Sequence, residues 1–204
     1  MEINTNSWNR IRYTLYSPAY DLVGQVFSRS RQRSIRLLDI HKADRVLLVG
    51  AGTGLDLPYL PKDVSITATD LTPAMVHRLA KRGQELGLNL KAQVMDGQKL
   101  ELPDDSYDRI ILHLILAVIP DPVACLREAE RVLAFGGRIV VFDKFMPPGQ
   151  EPGVLRRLTN NVTNLLFSDI TRSTEDIVSR TNLRILRDEK ADFGGAFRIL
   201  VLGR

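Results

Sequence analysis

Residues 46–56 read VLLVGAGTGLD: an apolar run, Val46 to Val49, that enters three glycines at alternate positions, Gly50, Gly52 and Gly54. A short apolar run ahead of a glycine cluster reads as a buried strand ending in a turn. Glycine at such a turn serves either a tight backbone path or the close approach of a ligand to the main chain. On its own the stretch allows both a nucleotide cradle and a plain turn.

Working outward, apolar β-branched runs alternate with helical patterns, the order of a parallel α/β sheet. Strands are expected near Arg45–Val49, Val64–Thr69, Leu90–Met95, Tyr107–Leu112 and Arg138–Phe142. Between them, Pro73–Gly83 and Val123–Ala134 read as amphipathic crossover helices, the first with Thr72 as N-cap and Pro73 at its first position. After the loop MPPGQEPG come a helical stretch near Val154–Phe167 and a short helix near Thr174–Arg180. Two further strand-like runs, Leu183–Arg187 and Ala196–Leu202, flank DFGG and read as an antiparallel hairpin added to the sheet. Ahead of the first strand, Trp8, Ile11 and Leu15 fall on one helical face that Pro18 should end, and Leu22–Phe27 follows as a second apolar stretch. This N-terminal part reads as packing onto the domain, a lid, or a membrane contact.

The chain has 204 residues with 44% hydrophobic content, which suits one domain over 1–204: residues 1–44 a helical lid or interface segment, 45–204 the core. Cys125 is the only cysteine, which excludes an intramolecular disulfide and a cysteine metal cluster. The three histidines, His41, His77 and His113, lack metal-ligand spacing, so no metal is expected. The start MEINTNSWNR lacks signal-peptide character, and the longest apolar run, Ile110–Ile119, is broken by His113. That run is far short of the roughly 20 residues of a membrane span, and a cytoplasmic location is expected. The net charge is +4, and RSRQRSIR, Arg29 to Arg36, holds four arginines and no acid. It reads as a solvated helix face or as a surface for anionic lipid. Nucleic acid is not expected, because no aromatic residues interleave with these arginines.

Glycine spacing separates two ligand classes. Dinucleotide binders carry G-x-G-x-x-G around a pyrophosphate; this chain has G-x-G-x-G followed by Leu55. Asp70 stands twenty residues beyond Gly50 at the end of the second strand, where a carboxylate accepts from ribose hydroxyls. Asp96, in VMDG, ends the third strand, where it can accept from an adenine amino group while Gly97 leaves room for the ring. Each residue alone reads equally as a turn former or a helix cap. Three in register at successive strand ends point to a nucleoside.

The stretches VLLVGAGTGLDLPYLP, TATDLTPAMV, VMDGQKLELPDDSYDRI, LHLILAVIPDP and RVLAFGGRIVVFD, together about Arg45 to Asp143, resemble class I S-adenosylmethionine (SAM) dependent methyltransferases. The resemblance is to the branch holding ubiquinone/menaquinone-biosynthesis methyltransferases and small bacterial phosphatidylethanolamine N-methyltransferases. It implies a Rossmann-like, doubly wound α/β fold with a seven-stranded, mostly parallel sheet and a C-terminal antiparallel hairpin. It also implies that Gly50, Ala51, Gly52 and Gly54 line the methionine and ribose part of SAM, and that Asp70 holds the ribose hydroxyls. Leu71 would then pack on adenine, Asp96 with Gly97 would read its edge, His113 would lie near the sulfonium, and Tyr20 would close the pocket. Two departures stand out. Leu48 occupies the place of an acid that holds the methionine amino group, with Asp56 either replacing that charge or serving as a first-turn acid. Ala117 and Val118 make the acceptor side apolar.

SAM brings its own activated methyl group, so the protein must position a nucleophile and exclude water. His113 could serve as a general base or as a strand-end hydrogen-bonding group, and Asp143 and Lys144 should face the carboxyl edge. The expected acceptor is the amine of phosphatidylethanolamine, with Trp8–Tyr16 and RSRQRSIR in peripheral contact with an anionic membrane. The alternatives are C- or O-methylation of a quinone precursor or other small molecule, a SAM-binding protein without transferase activity, and an NAD-dependent oxidoreductase.

Overall fold

The computed structural model describes residues 5–6, 25–145 and 174–204. Seven strands form one sheet: β1 (Arg45–Val49), β2 (Ser65–Asp70), β3 (Leu90–Val94), β4 (Tyr107–His113), β5 (Leu133–Lys144), β6 (Arg184–Lys190) and β7 (Phe197–Gly203), in the order β3-β2-β1-β4-β5-β7-β6. The first five pair in parallel, and β7 is antiparallel both to β5 and to β6, which it separates. The helices are α1 (Ser28–Leu37), α2 (Pro73–Glu85), α3 (Pro122–Val132) and the short α4 (Thr174–Val178).

The unbroken apolar run of β1 follows from burial on both faces. Val46 and Leu48 join Ile35, Leu38, Ala68, Leu79 and Val140 in the layer beneath α1 and α2. Leu47 and Val49 turn the other way, to Leu112, Leu126, Ala129 and Ile139 under α3. Each large aliphatic side chain so buried contributes about 1.5–3 kcal/mol. In α3, Asp121 caps by accepting from the amides of Val123 and Ala124 at 3.0 and 2.9 Å, and Pro122 sits where no amide is needed. The buried residues Cys125, Leu126, Ala129 and Val132 then recur at helical spacing. In α2, Thr72 holds the cap position, as its sequence suggests, but its side chain makes no capping bond.

Three boundaries differ from the sequence pattern. The chain leaves α3 at Val132 and is extended from Leu133, so β5 begins well before Arg138; Gly136, at φ +74°, takes the bend that follows. No α-helix follows the glycine loop: residues 57–59 make a single 3-10 turn. Pro58 and Pro61 deny that segment the amides a longer helix needs. The RSRQRSIR segment does form a helix, α1, but its arginines do not share one solvated face, because Arg31 is buried. Trp8–Tyr16, Tyr20 and Val154–Phe167 lie outside the described residues. Among the described residues no helix is long and apolar enough to cross a membrane.

Candidate active site

The strand order reverses between β1 and β4, and in open α/β sheets the crevice beyond the strand ends at that point takes ligands. An open cleft lies there. Gly50 and Gly52 contribute from the loop after β1, Asp70 and Leu71 from the end of β2, and Asp96 and Gly97 from beyond β3. Leu114, Ile115, Val118 and Ile119 form an apolar wall after β4. Asn6 closes one side. Ala51, Gly54 and His113 are not among the lining residues.

The glycines serve three different ends. Gly50, at φ +68°, lies under Ile115, whose Cδ1 would stand 2.3 Å from an added Cβ. Gly52, at φ +56°, turns its amide to Asp70 Oδ2 at 2.9 Å. Gly54 packs on the protein itself, with Leu79 Cδ1 at 2.8 Å and Leu57 Cδ1 at 2.9 Å from where a Cβ would be. Gly97 is small for a related reason, since Val49 Cγ1 would stand 2.9 Å from its Cβ.

The Asp70 carboxylate accepts from the amides of Gly52 and Thr72, each at 2.9 Å. Burial pushes this carboxyl up from its ordinary value, and the two amides pull it part of the way back. Asp96 accepts from the Gln98 amide at 2.9 Å and from Asn6 Nδ2 at 2.6 Å, while Gln98 Nε2 donates to Asn6 Oδ1 at 3.2 Å. The described lining thus carries two carboxylates and no lysine, arginine or histidine. A cation suits it; a pyrophosphate, which needs donors and positive charge, does not.

His113 ends β4 with its ring turned away from the cleft, into the layer beneath α1. Its Nδ1 meets Asp56 Oδ1 at 2.8 Å and its Nε2 meets the Ser34 hydroxyl at 2.8 Å. Asp56 Oδ2 in turn accepts from Arg31 Nη1 at 2.8 Å. Burial alone would push the Asp56 carboxyl up, but Arg31 and His113 together outweigh it and hold it well below the usual carboxylate range. With both oxygens engaged away from the cleft, Asp56 is neither a charge offered to a ligand nor a surface first-turn acid. Leu48 is a core residue, 1% exposed. Asp143 is also buried, and it accepts from the amides of Ala117 and Lys144 at 3.0 and 2.8 Å, which ties β5 to the apolar wall.

Several lining residues have no single-residue signature in the sequence: Asn6, Met75, Met95 and Pro120. Ile115 and Ile119 were findable, because they recur four apart within LHLILAVIPDP next to the lining Val118.

Residues 47–141 match the family model of a methyltransferase domain. A phosphatidylethanolamine N-methyltransferase of Cereibacter sphaeroides is 26% identical over 202 residues, 98% of each chain. A demethylmenaquinone methyltransferase of Thermus thermophilus is 28% identical over 151 residues, 70% of this chain and 68% of its own. Among solved structures, a SAM-dependent methyltransferase from Aquifex aeolicus aligns with a TM-score of 0.64 at 20% identity, over 84% of this chain and 87% of that one. That last likeness speaks to the fold.

Proposed function

We propose that this chain, whose residues 47–141 match a methyltransferase domain, uses SAM to methylate the amine of phosphatidylethanolamine, with the cofactor held in the cleft between β1 and β4. SAM, when bound, supplies a methyl group on a sulfonium cation, and the cleft's chemistry fits such a cation through its two carboxylates and the lack of basic side chains among its described lining residues. In this reading Asp70 accepts from the ribose hydroxyls, and Asp96 accepts from the adenine amino group where it now meets Asn6. Gly50 and Gly52 let the methionine portion approach the backbone, and Leu71 covers the ring. Leu114, Ile115, Val118 and Ile119 keep water from the reacting atoms. Methyl transfer to a neutral amine needs an aligned lone pair and somewhere for one proton to go. With both ring nitrogens engaged, His113 is not free to take that proton, which stays on the methylated ammonium product and is lost to solvent after the product leaves. Tyr20, expected to close the pocket, lies outside the described residues.

The observation that carries the acceptor is the reach of the likeness: the phosphatidylethanolamine N-methyltransferase matches over nearly the whole of both chains, including the segments outside the core. The apolar wall and the Thermus relative favour a second reading, a lipophilic quinone precursor. For the phospholipid, a peripheral membrane contact on the cytoplasmic side follows. Phe27 packs against Phe197 with centroids 4.8 Å apart and planes tilted by 44°, at the edge where Lys144 of β5 pairs with Phe197. Exposed Val26 and Phe193 with exposed Arg29 and Arg33 therefore share the carboxyl edge with the cleft. Incubation with methyl-tritiated SAM and vesicles containing phosphatidylethanolamine tests the proposal. Label in N-methylated lipid, with S-adenosylhomocysteine in equal amount, is expected. Label only in added demethylmenaquinone would move the acceptor to the quinone class.

A further inference from the structure

Four polar side chains with no place in the cleft form a buried chain of contacts. Arg31 and Ser34 lie one turn apart on α1 and point inward, and they are 4% and 0% exposed. Between them stand Asp56, 2% exposed, and His113, 5% exposed. Contacts of 2.8 Å run from Arg31 to Asp56, from Asp56 to His113 and from His113 to Ser34. With Asp56 ionised, His113 Nδ1 donates to it, and Nε2 shares a hydrogen bond with the Ser34 hydroxyl. The edge of the His113 ring meets Phe142 at 5.7 Å, which fixes its plane.

The order Ser, His, Asp is that of a hydrolase triad, but the Ser34 hydroxyl is completely buried and meets no substrate. Its carboxylate, moreover, is shared with a guanidinium. The arrangement matters for what it joins. Asp56 closes the glycine loop, two residues beyond Gly54. His113 immediately precedes Leu114, a lining residue at φ +58° whose amide donates to Phe142 O at 2.8 Å, and Ile115, which lies on Gly50. The two walls of the cleft, the glycine loop and the segment after β4, are thus clamped to each other and to α1 by one set of contacts. Apolar residues of similar volume would fill this place with no desolvation penalty, so an ion pair here points to fixing position rather than to adding stability.

We propose that Arg31, Ser34, Asp56 and His113 are positioning residues for SAM, making α1 a working part of the cofactor site although it touches no cofactor. This rests on reading the cleft as the SAM site. SAM binding should weaken when the set is broken in a protein that stays folded.

The test is calorimetric titration with SAM at 15 °C, with each variant's thermal unfolding recorded alongside. Wild-type binding is the control: if wild type does not bind SAM, the cleft assignment fails, and the positioning role fails with it. Given wild-type binding, Asp56→Asn is expected to raise the Kd about tenfold and Ser34→Ala about three- to fivefold. At saturating SAM, kcat should stay within twofold of wild type, with the change confined to the KM for SAM. Arg31→Gln combined with Asp56→Asn, which removes both charges and keeps a hydrogen-bonding pair, should recover most of the affinity. Variants that melt earlier yet bind SAM within twofold of wild type would overturn the proposal and leave the set a purely structural one. If Asp56→Asn does not fold, Ser34→Ala decides alone, since it removes a single oxygen.

Discussion

The amide of Gly52 donates to Asp70 Oδ2 at 2.9 Å, so the loop after β1 and the end of β2 are held together by the same carboxylate that reaches the cleft. The two residues therefore act as one unit. Asp70→Ala removes both the proposed ribose acceptor and the clamp on the loop. A hydrogen bond to a charged group is worth about 1.5–3 kcal/mol, so SAM affinity should fall about tenfold to a hundredfold. Gly52→Val places a branched side chain at φ +56° beside the cleft and should abolish binding. Calorimetry with SAM, and with NADH as the control, checks both. Wild-type affinity in the two variants would remove the site from this cleft.

Gly50 is constrained from two sides. Its φ of +68° costs an L residue about 1–2 kcal/mol, and an added Cβ would stand 2.3 Å from Ile115 Cδ1 and 2.9 Å from Cγ1. Gly50→Ala should destabilise by more than the backbone cost alone. Combining it with Ile115→Ala, which removes both of those carbons, should give a loss smaller than the sum of the two single losses. Urea unfolding of the four proteins measures this coupling, and strict additivity would mean that the contact carries no strain.

Asp56 gives the stability a signed dependence on pH. Its carboxyl lies below the usual range in the folded protein, while in the unfolded chain it titrates near 4. The contribution is therefore fully present above about pH 5 and is lost as the pH falls through the unfolded value toward the folded one. At pH 7, Asp56→Asn removes the carboxylate beside the buried Arg31 and should cost up to about 3–5 kcal/mol. At pH 3 the gap between wild type and variant should be smaller. Asp108 and Glu128, whose carboxyls are also held low by Arg45 and Arg131, are present in both proteins and cancel in the comparison. Urea unfolding at the two pH values is the measurement, and a gap of equal size at both would mean that Asp56 is not held low.

Much of this architecture is written in the chain. VLLV must be buried on both faces because it has no polar side to offer water, and the alternation of such runs with helical stripes fixes the parallel core. The strand-end positions of Asp70 and Asp96 follow from the same register, and the structure brings both to one cleft with Gly50, Gly52, Leu71 and Gly97. What stayed hidden depends on contacts between residues distant in sequence. Arg31 differs from Arg29, Arg33 and Arg36 in lying one turn before Ser34 and Ile35 on the inward face of α1, but the partner it meets there, Asp56, is twenty-five residues on. His113 is the last residue of β4 and its ring turns beneath α1 to Asp56 and Ser34, while the chain leaves the strand at Leu114, φ +58°, to line the cleft. Asn6 reaches Asp96 across ninety residues, a separation no periodicity can bridge.

The basic charge that remains outside, once Arg31 is withdrawn, gathers beside exposed apolar groups. Arg29 is exposed and Arg33 donates to Lys190 O at 2.6 Å, which ties α1 to the loop carrying Phe193. Phe193 is 67% exposed and Val26 63%, and Phe27 bridges them through a ring contact of 6.0 Å to Phe193. On the phospholipid reading proposed above, these apolar groups enter a headgroup layer, flanked by arginines worth about 1 kcal/mol each near an anionic surface. The combined variant Arg29→Glu with Arg33→Glu should bind anionic vesicles at least tenfold more weakly than wild type, and Phe193→Ser should weaken binding without changing its salt dependence. Raising the salt should release wild type by shortening the screening length. Co-sedimentation with anionic and with neutral vesicles, at low and high salt, reads all of these. Binding that is equal on both vesicle types at every salt concentration would remove the electrostatic contribution and leave the arginines as a solvated helix face.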